Sequence, residues 1–372
     1  MEVSIVVGTR PEIVKMAPVV LALREAGVPL SLVHTGQHYD QELSEVFLEE
    51  LGLGSPDTVL GVGSGTQAKQ TADALIRLES HFVETTPRLI LVEGDTNTVL
   101  AAALAGAKLG IDVGHVEAGL RSHDLRMPEE HNRRLTDHLS SYLYAPTDVA
   151  AKNLRQEAVW GSIWITGNTV IDATTRYLPL AEARSSVMDH VPFEAFCLVT
   201  AHRAENVDNP ETLQELSILL RKAPLPVVYP VHPRTERRLE EAGLSEELHA
   251  SENVQLLPPL GYFDFLVLMK ESAFILTDSG GIQEEATSPG IQKKVFVFRE
   301  STERPEAVAA GYARVVGTTA EKAILAMKEY LDDPAPPTAP SPYGSGTSGA
   351  QIASLVQETL TGGPGPVGRA DA

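Results

Sequence analysis

The chain alternates. A short apolar run ends in a glycine-bearing loop, and apolar residues at helical spacing follow. Val3–Val7 closes on Gly8, and a helical stretch from Glu12 to Ala26 stops at Gly27. Leu30–His34, Leu89–Glu93, Val113–Val116 and Tyr142–Ala145 read as further buried strands. Thr66–Val83, Thr96–Lys108, Glu129–Leu139 and Asp148–Glu157 read as helices among them. Strand and helix in this order predict a parallel sheet covered on both faces. The alternation restarts at Phe196–Thr200 and continues through Val227–Pro230, Val254–Leu257, Phe274–Thr277, Val295–Phe298 and Arg314–Val316. Helices are expected at Glu211–Lys222, Thr235–Ala242, Phe263–Glu271, Gly280–Ala286 and Thr319–Leu331. The pattern therefore predicts two α/β, doubly wound domains joined near Thr166–Ala173. A proline-rich linker at Pro334–Tyr343 leads to a last helix at about Ala350–Leu360, and a Gly/Pro-rich tail reads as disordered.

The remaining composition narrows the function. With 372 residues, two or three domains are expected. No apolar run approaches a membrane span, and the start reads as a strand, not a signal peptide. The single cysteine, Cys197, excludes an internal disulfide framework and any multi-cysteine metal site. Thirty basic residues against fifty acidic ones give a net charge of −20, which argues against a nucleic-acid surface. An anionic ligand would need a local basic island.

In open α/β sheets ligands bind beyond the carboxyl ends of strands, so motifs there carry most weight. Gly8-Thr9-Arg10-Pro11-Glu12 follows the first strand. Glycine, proline and glutamate suit a strand–helix corner, but Arg10 opposes the helix dipole and suggests an anion site with Lys15. Leu91-Val92-Glu93-Gly94-Asp95 and Gly114-His115-Val116-Glu117-Ala118-Gly119 deliver carboxylates at strand ends. Asp95 also fits a plain N-cap; Glu117 between small residues is costly unless paired or functional. With Glu129 at a helix start, the set suits acid–base work. His115-x-Glu117 resembles the opening of a zinc deaminase signature, which the lone cysteine rules out, and no metal site is expected. Gly344-x-Gly346-x-x-Gly349 spells a dinucleotide fingerprint but follows a proline-rich loop instead of a strand.

In the second half, Thr277-Asp278-Ser279-Gly280-Gly281 leads from a strand into a helix. Glycines there let a phosphate approach bare amides, and Glu285 lies a turn further on, placed for a ribose. His202-Arg203, His232-Pro233-Arg234 and Arg304 supply cations at neighbouring strand ends and a helix start.

Together these motifs resemble the non-hydrolysing UDP-N-acetylglucosamine 2-epimerases. The likeness also runs through Pro128-Glu129-Glu130-His131-Asn132-Arg133, Ile165-Thr166-Gly167-Asn168-Thr169 and Thr302-Glu303-Arg304-Pro305-Glu306-Ala307. The resemblance implies a GT-B-like fold, two Rossmann-like doubly wound parallel-sheet domains with a cleft between them. Residues 1–168 with a crossing helix at 349–361 would form the first domain, 169–348 the UDP-binding one, and 362–372 the tail. It implies reversible C2 epimerisation of UDP-GlcNAc and UDP-ManNAc through expulsion of UDP, a 2-acetamidoglucal and re-addition. By resemblance Arg10, Lys15, His202, His232, Ser279, Gly280, Gly281 and Arg304 would hold the nucleotide, and Glu285 the ribose. Leu260 and Phe265 would contact uracil. Asp95, Glu117 and Glu129 would share proton transfer with Arg133 orienting them and His202 close by; which carboxylate acts in which step is open. Gln37, His38 and Arg203 are candidate allosteric contacts, although the segment Gly36-Gln37-His38-Tyr39 lacks the family's arginine. No cofactor is implied, and a cytoplasmic homodimer is. A hydrolysing epimerase, an epimerase of a related UDP-2-acetamido sugar and a GT-B glycosyltransferase are the alternatives.

Overall fold

The computed structural model describes residues 2–36 and 47–362. Gln37, His38 and, from residue 363 on, the tail lie outside them. The chain divides into two units, one made of residues up to Ala173 together with those from Tyr343, the other of Thr174–Pro342. No helix among the described residues is long and apolar enough to cross a membrane.

In the first unit the apolar runs form β1 (Val3–Val7), β2 (Leu30–His34), β3 (Thr58–Val59), β4 (Leu89–Glu93), β5 (Asp112–Val116), β6 (Tyr142–Ala145) and β7 (Ser162–Ile165). They lie in the order β3-β2-β1-β4-β5-β6-β7, every pair parallel. β1 and β4 are buried along their whole length, as their unbroken apolar runs require. The chain's return adds the helix Ser348–Leu360 to this unit. Gly349 is the contact point. A β-carbon there would come within 2.8 Å of the Pro18 backbone in helix Arg10–Glu25, so only glycine fits. Its N–H donates to Asp172 Oδ1 at 2.8 Å.

The second unit contains β8 (Cys197–Thr200), β9 (Val227–Pro230), β10 (Val254–Leu257), β11 (Phe274–Thr277), β12 (Val295–Val297) and β13 (Ala313–Val315). Their order is β10-β9-β8-β11-β12-β13, again all parallel. Phe274 and Phe296 meet edge to face at 5.3 Å in its core. Cys197 is fully buried, which pushes its thiol well up.

Both strand orders reverse direction once. The reversal falls between β1 and β4 in the first unit and between β8 and β11 in the second. Loops leaving those strands diverge and open a crevice. They carry Gly8–Glu12 and Gly94-Asp95 in one unit, and Ala201–Arg203 and Asp278–Gly281 in the other.

Two strands were not expected from the sequence. β3 and β7 are edge strands; β3 has two residues, and β7 carries only the short run Ile163-Trp164-Ile165, none of it fully buried. β7 is held by Trp164, stacked on Tyr142 and Tyr144 with centroids 5.8 Å away. The stretch read as a junction runs into the helix Thr169–Arg184, which carries Pro179 and within which the two units divide after Ala173.

Candidate active site

In the first unit, strand ends gather carboxylates around one ammonium. Glu12, in the first turn of helix Arg10–Glu25, reaches back to accept from Gly8 N at 2.6 Å and Thr9 Oγ1 at 3.0 Å. Burial pushes its carboxyl up to about 7. One turn on, Lys15 Nζ lies 3.0 Å from Glu93 Oε1 and 2.5 Å from Glu117 Oε2. Glu117 also accepts from Asn168 Nδ2 at 3.0 Å. Burial drives the Glu93 carboxyl well above its ordinary range; the Lys15 charge opposes this, and the neighbouring Glu117 and Glu12 add to it. Glu117 has φ +67°, a left-handed backbone that a non-glycine residue holds only when its surroundings fix it.

Beside this cluster, the helix Pro128–Leu139 presents Glu129, half-buried in its first turn, and Arg133. The Arg133 guanidinium pairs with Asp95 Oδ2 and, at 2.7 Å, with Glu130 Oε2. Asn132 Nδ2 donates to the Asp95 carbonyl at 2.9 Å. Glu130 is buried, which alone would raise its carboxyl. The Ser122 N–H, Arg134 and Arg133 outweigh burial and hold it below the ordinary range. Arg133 thus bridges Asp95 and Glu130.

The second unit gathers cations. His202 and Arg203 follow β8, and their backbone N–H groups both donate to Asp278 Oδ2 at 2.9 Å. Asp278 is wholly buried and follows β11, so it fixes the turn beside Ser279–Gly281. His232 caps the helix Pro233–Glu241 through Nδ1 and stacks on His202 at 5.6 Å. Burial, then the neighbouring His202 and Arg234, lower its imidazole pKa. Arg304 Nε meets Glu284 Oε1 at 2.6 Å. A β-carbon on Gly280 would fall 2.7 Å from Glu303 Oε1 and 3.4 Å from Arg304 Cζ. Only glycine brings this turn so close to the arginine group. Glu303 binds Arg299 at 2.6 Å and Arg203 at 3.1 Å. Burial would raise its carboxyl, but Arg304, Arg203 and Arg299 together bring it down to about 2.

A family model described as UDP-N-acetylglucosamine 2-epimerase matches residues 21–357. The chain belongs to this family. It is 42% identical over 368 residues to the UDP-N-acetylglucosamine 2-epimerase of Methanocaldococcus jannaschii, covering 96% of this chain and 99% of that protein. A crystal structure of the Methanocaldococcus jannaschii epimerase in complex with UDP-GlcNAc and UDP resembles it with TM-score 0.87 and 42% identity, over 96% of this chain and 99% of that one. The UDP-2,3-diacetamido-2,3-dideoxy-D-glucuronate 2-epimerase of Pseudomonas aeruginosa is 36% identical over 367 residues, with 96% and 99% covered. Like other members of the family, the chain has a GT-B-like fold of two parallel-sheet α/β units.

Within each unit the structure brings most of the expected residues together. Asp95 and Glu117 follow neighbouring strands, and Lys15, Glu129 and Arg133 lie on two helices, Arg10–Glu25 and Pro128–Leu139. His202, Arg203, His232, Ser279, Gly280, Gly281 and Arg304 lie around the second switch point. Glu285 closes the helix Gly280–Glu285. Phe265 is half-buried in helix Tyr262–Glu271, just after Leu260. Arg10 starts its helix exposed, its guanidinium 5.7 Å over the Phe47 ring. Lys15, expected at the nucleotide, is paired with Glu93 and Glu117. Glu93, Asn168, Asp278 and Glu303 were not singled out as site residues, although each stands inside a quoted motif. The strand-end position of Glu93 was the same signal that exposed Glu117.

Proposed function

We propose that this epimerase-family chain interconverts UDP-GlcNAc and UDP-ManNAc, and that each unit supplies half of what the reaction needs. The hydrogen at C2 of the sugar is not acidic, so direct removal is chemically poor. Expelling UDP avoids that step. A carboxylate takes the C2 proton while the C1–O bond breaks and its electron pair leaves with UDP. The remaining 2-acetamidoglucal is protonated at C2 from the other face, and a UDP oxygen re-forms the bond to C1. Arg304, Ser279–Gly281 and Arg10 hold the departing diphosphate, where positive charge and bare amides count most as charge develops. Glu285 takes the ribose, and Leu260 and Phe265 take the base. Asp95, Glu117 and Glu129 share proton transfer.

The observation that carries this reading is the contrast within one chain: a carboxylate cluster with a single lysine at one switch point, and an arginine-lined glycine turn at the other. A glycosyltransferase would need the second but has no use for the first. The Pseudomonas relative favours a second sugar, a diacetamido uronate, as a testable alternative. The cytoplasmic homodimer implied by family resemblance belongs to the same reading, and light scattering on the purified chain tests the dimer.

Incubation with UDP-GlcNAc in deuterated water, followed by NMR, decides the chemistry. UDP-ManNAc carrying deuterium at C2 is expected. Accumulation of free ManNAc would replace this reading with a hydrolysing epimerase, and turnover of the diacetamido uronate alone would move the substrate.

A further inference from the structure

One buried chain of hydrogen bonds joins the segments that carry the proposed proton-transfer groups, and none of its side chains has a role so far. Asp137 lies on helix Pro128–Leu139, about two turns beyond Glu129. His115 lies in β5, two residues before Glu117. Both are wholly buried. Asp137 Oδ1 is 2.7 Å from His115 Nδ1, and Oδ2 accepts from Gly119 N at 3.2 Å and from Arg121 at 2.7 Å. On the far side of the ring, His115 Nε2 is 2.8 Å from the Gly94 carbonyl. A carbonyl only accepts, so Nε2–H donates to Gly94 while Nδ1 faces the Asp137 carboxylate.

Each end of this chain stops beside a reacting group. Gly94 precedes Asp95. Gly119 closes the turn that holds Glu117 in its left-handed backbone. The helix bearing Asp137 also bears Glu129 and Arg133. Arg121 is balanced in turn by Glu157, bound through two contacts at 2.9 and 2.7 Å.

We propose that Asp137 and His115 are positioning residues that hold Asp95, Glu117 and Glu129 in mutual register while touching no part of the substrate. This rests on reading Glu117 as a proton-transfer group. A misplacement of about 1 Å at a reacting group costs about 10²-fold in rate. Asp137→Asn removes the charge that binds His115 and Arg121 and loosens the Gly119 turn.

The test is a double-mutant cycle on the full chain with UDP-GlcNAc, with calorimetric binding of UDP alongside. Asp137→Asn is expected to lower kcat by about 10²-fold, with KM and UDP affinity within about threefold. In the Glu117→Gln background it is expected to cost less than about threefold more, because residues acting through one group are not additive. Near-normal kcat in a folded Asp137→Asn, a parallel fall in UDP affinity, or full additivity with Glu117→Gln would each overturn the proposal. Glu117→Gln alone tests the underlying reading: near-normal turnover there removes the proton-transfer role itself. Should Asp137→Asn fail to fold by circular dichroism, His115→Gln carries the test, since it leaves the Gly119 and Arg121 contacts in place. It is expected to lower kcat without additivity to Asp95→Asn, and additivity there would overturn the proposal.

Discussion

Glu93 and Glu303 are the same residue type, buried to nearly the same degree, at the two switch points, and they titrate in opposite directions. Burial raises both. Glu93 shares one ammonium, Lys15, with Glu117. Glu303 faces three guanidiniums, those of Arg203, Arg299 and Arg304. The number of cations outweighs desolvation at Glu303 and fails to at Glu93. The first unit thereby holds a carboxyl pushed toward its protonated form, and the second a carboxylate pinned by guanidiniums.

The sharpest way to break this comparison is at Glu117. Glu117→Gln is expected to lower turnover by about 10²–10⁴-fold while leaving UDP affinity nearly intact. Steady-state kinetics with calorimetry on the same preparation reads both, and equal losses in the two would merge the halves that the comparison separates. Next come two identical substitutions in opposite surroundings. Glu303→Gln strands buried arginines and is expected to cost about 3–5 kcal/mol of stability. Glu93→Gln, replacing a carboxyl that burial pushes well above its ordinary range and that shares its one cation with Glu117, should cost less, about 1 kcal/mol. Denaturant unfolding of both variants compares them, and similar costs would show that the local cation count does not govern the difference.

A pH dependence at Glu12 sharpens the comparison further. Its carboxyl is raised from 4.5 to about 7, so the folded state holds this proton more tightly than the unfolded chain does. Its contribution to stability is complete below about pH 4.5 and is lost as pH rises through 7. Glu12→Gln, which stays neutral, should therefore gain on the native chain by about 3 kcal/mol between pH 4.5 and pH 8. A stability difference that stays flat across that range would show that Glu12 is not held protonated.

Much of this was legible before the structure, and the gaps have physical causes. β1 and β4 are covered on both faces and announce themselves as unbroken apolar runs. β7 is an edge strand whose hold depends on Trp164 stacking on a neighbour, which no local pattern reveals. Asp95 and Glu117 were readable because a carboxylate ending a buried strand needs a reason. Asp137 was not, because it looks like an ordinary polar residue of a helix until His115 and Gly119, 22 and 18 residues away, close on it. The same holds for Asn168, whose partner Glu117 lies 51 residues back. Spacing rules report which face a residue takes and are silent on long-range polar pairing.

Asn168 has one more contact with a bearing on how the protein is made. Its backbone N–H donates to the Tyr343 carbonyl at 2.7 Å, while its side chain donates to Glu117. The first unit is written in two instalments, and residues 174–342 are translated between them. During synthesis Glu117 therefore waits for Tyr343 before its anchor is itself anchored. The first unit closes only after residues 174–342 have been made.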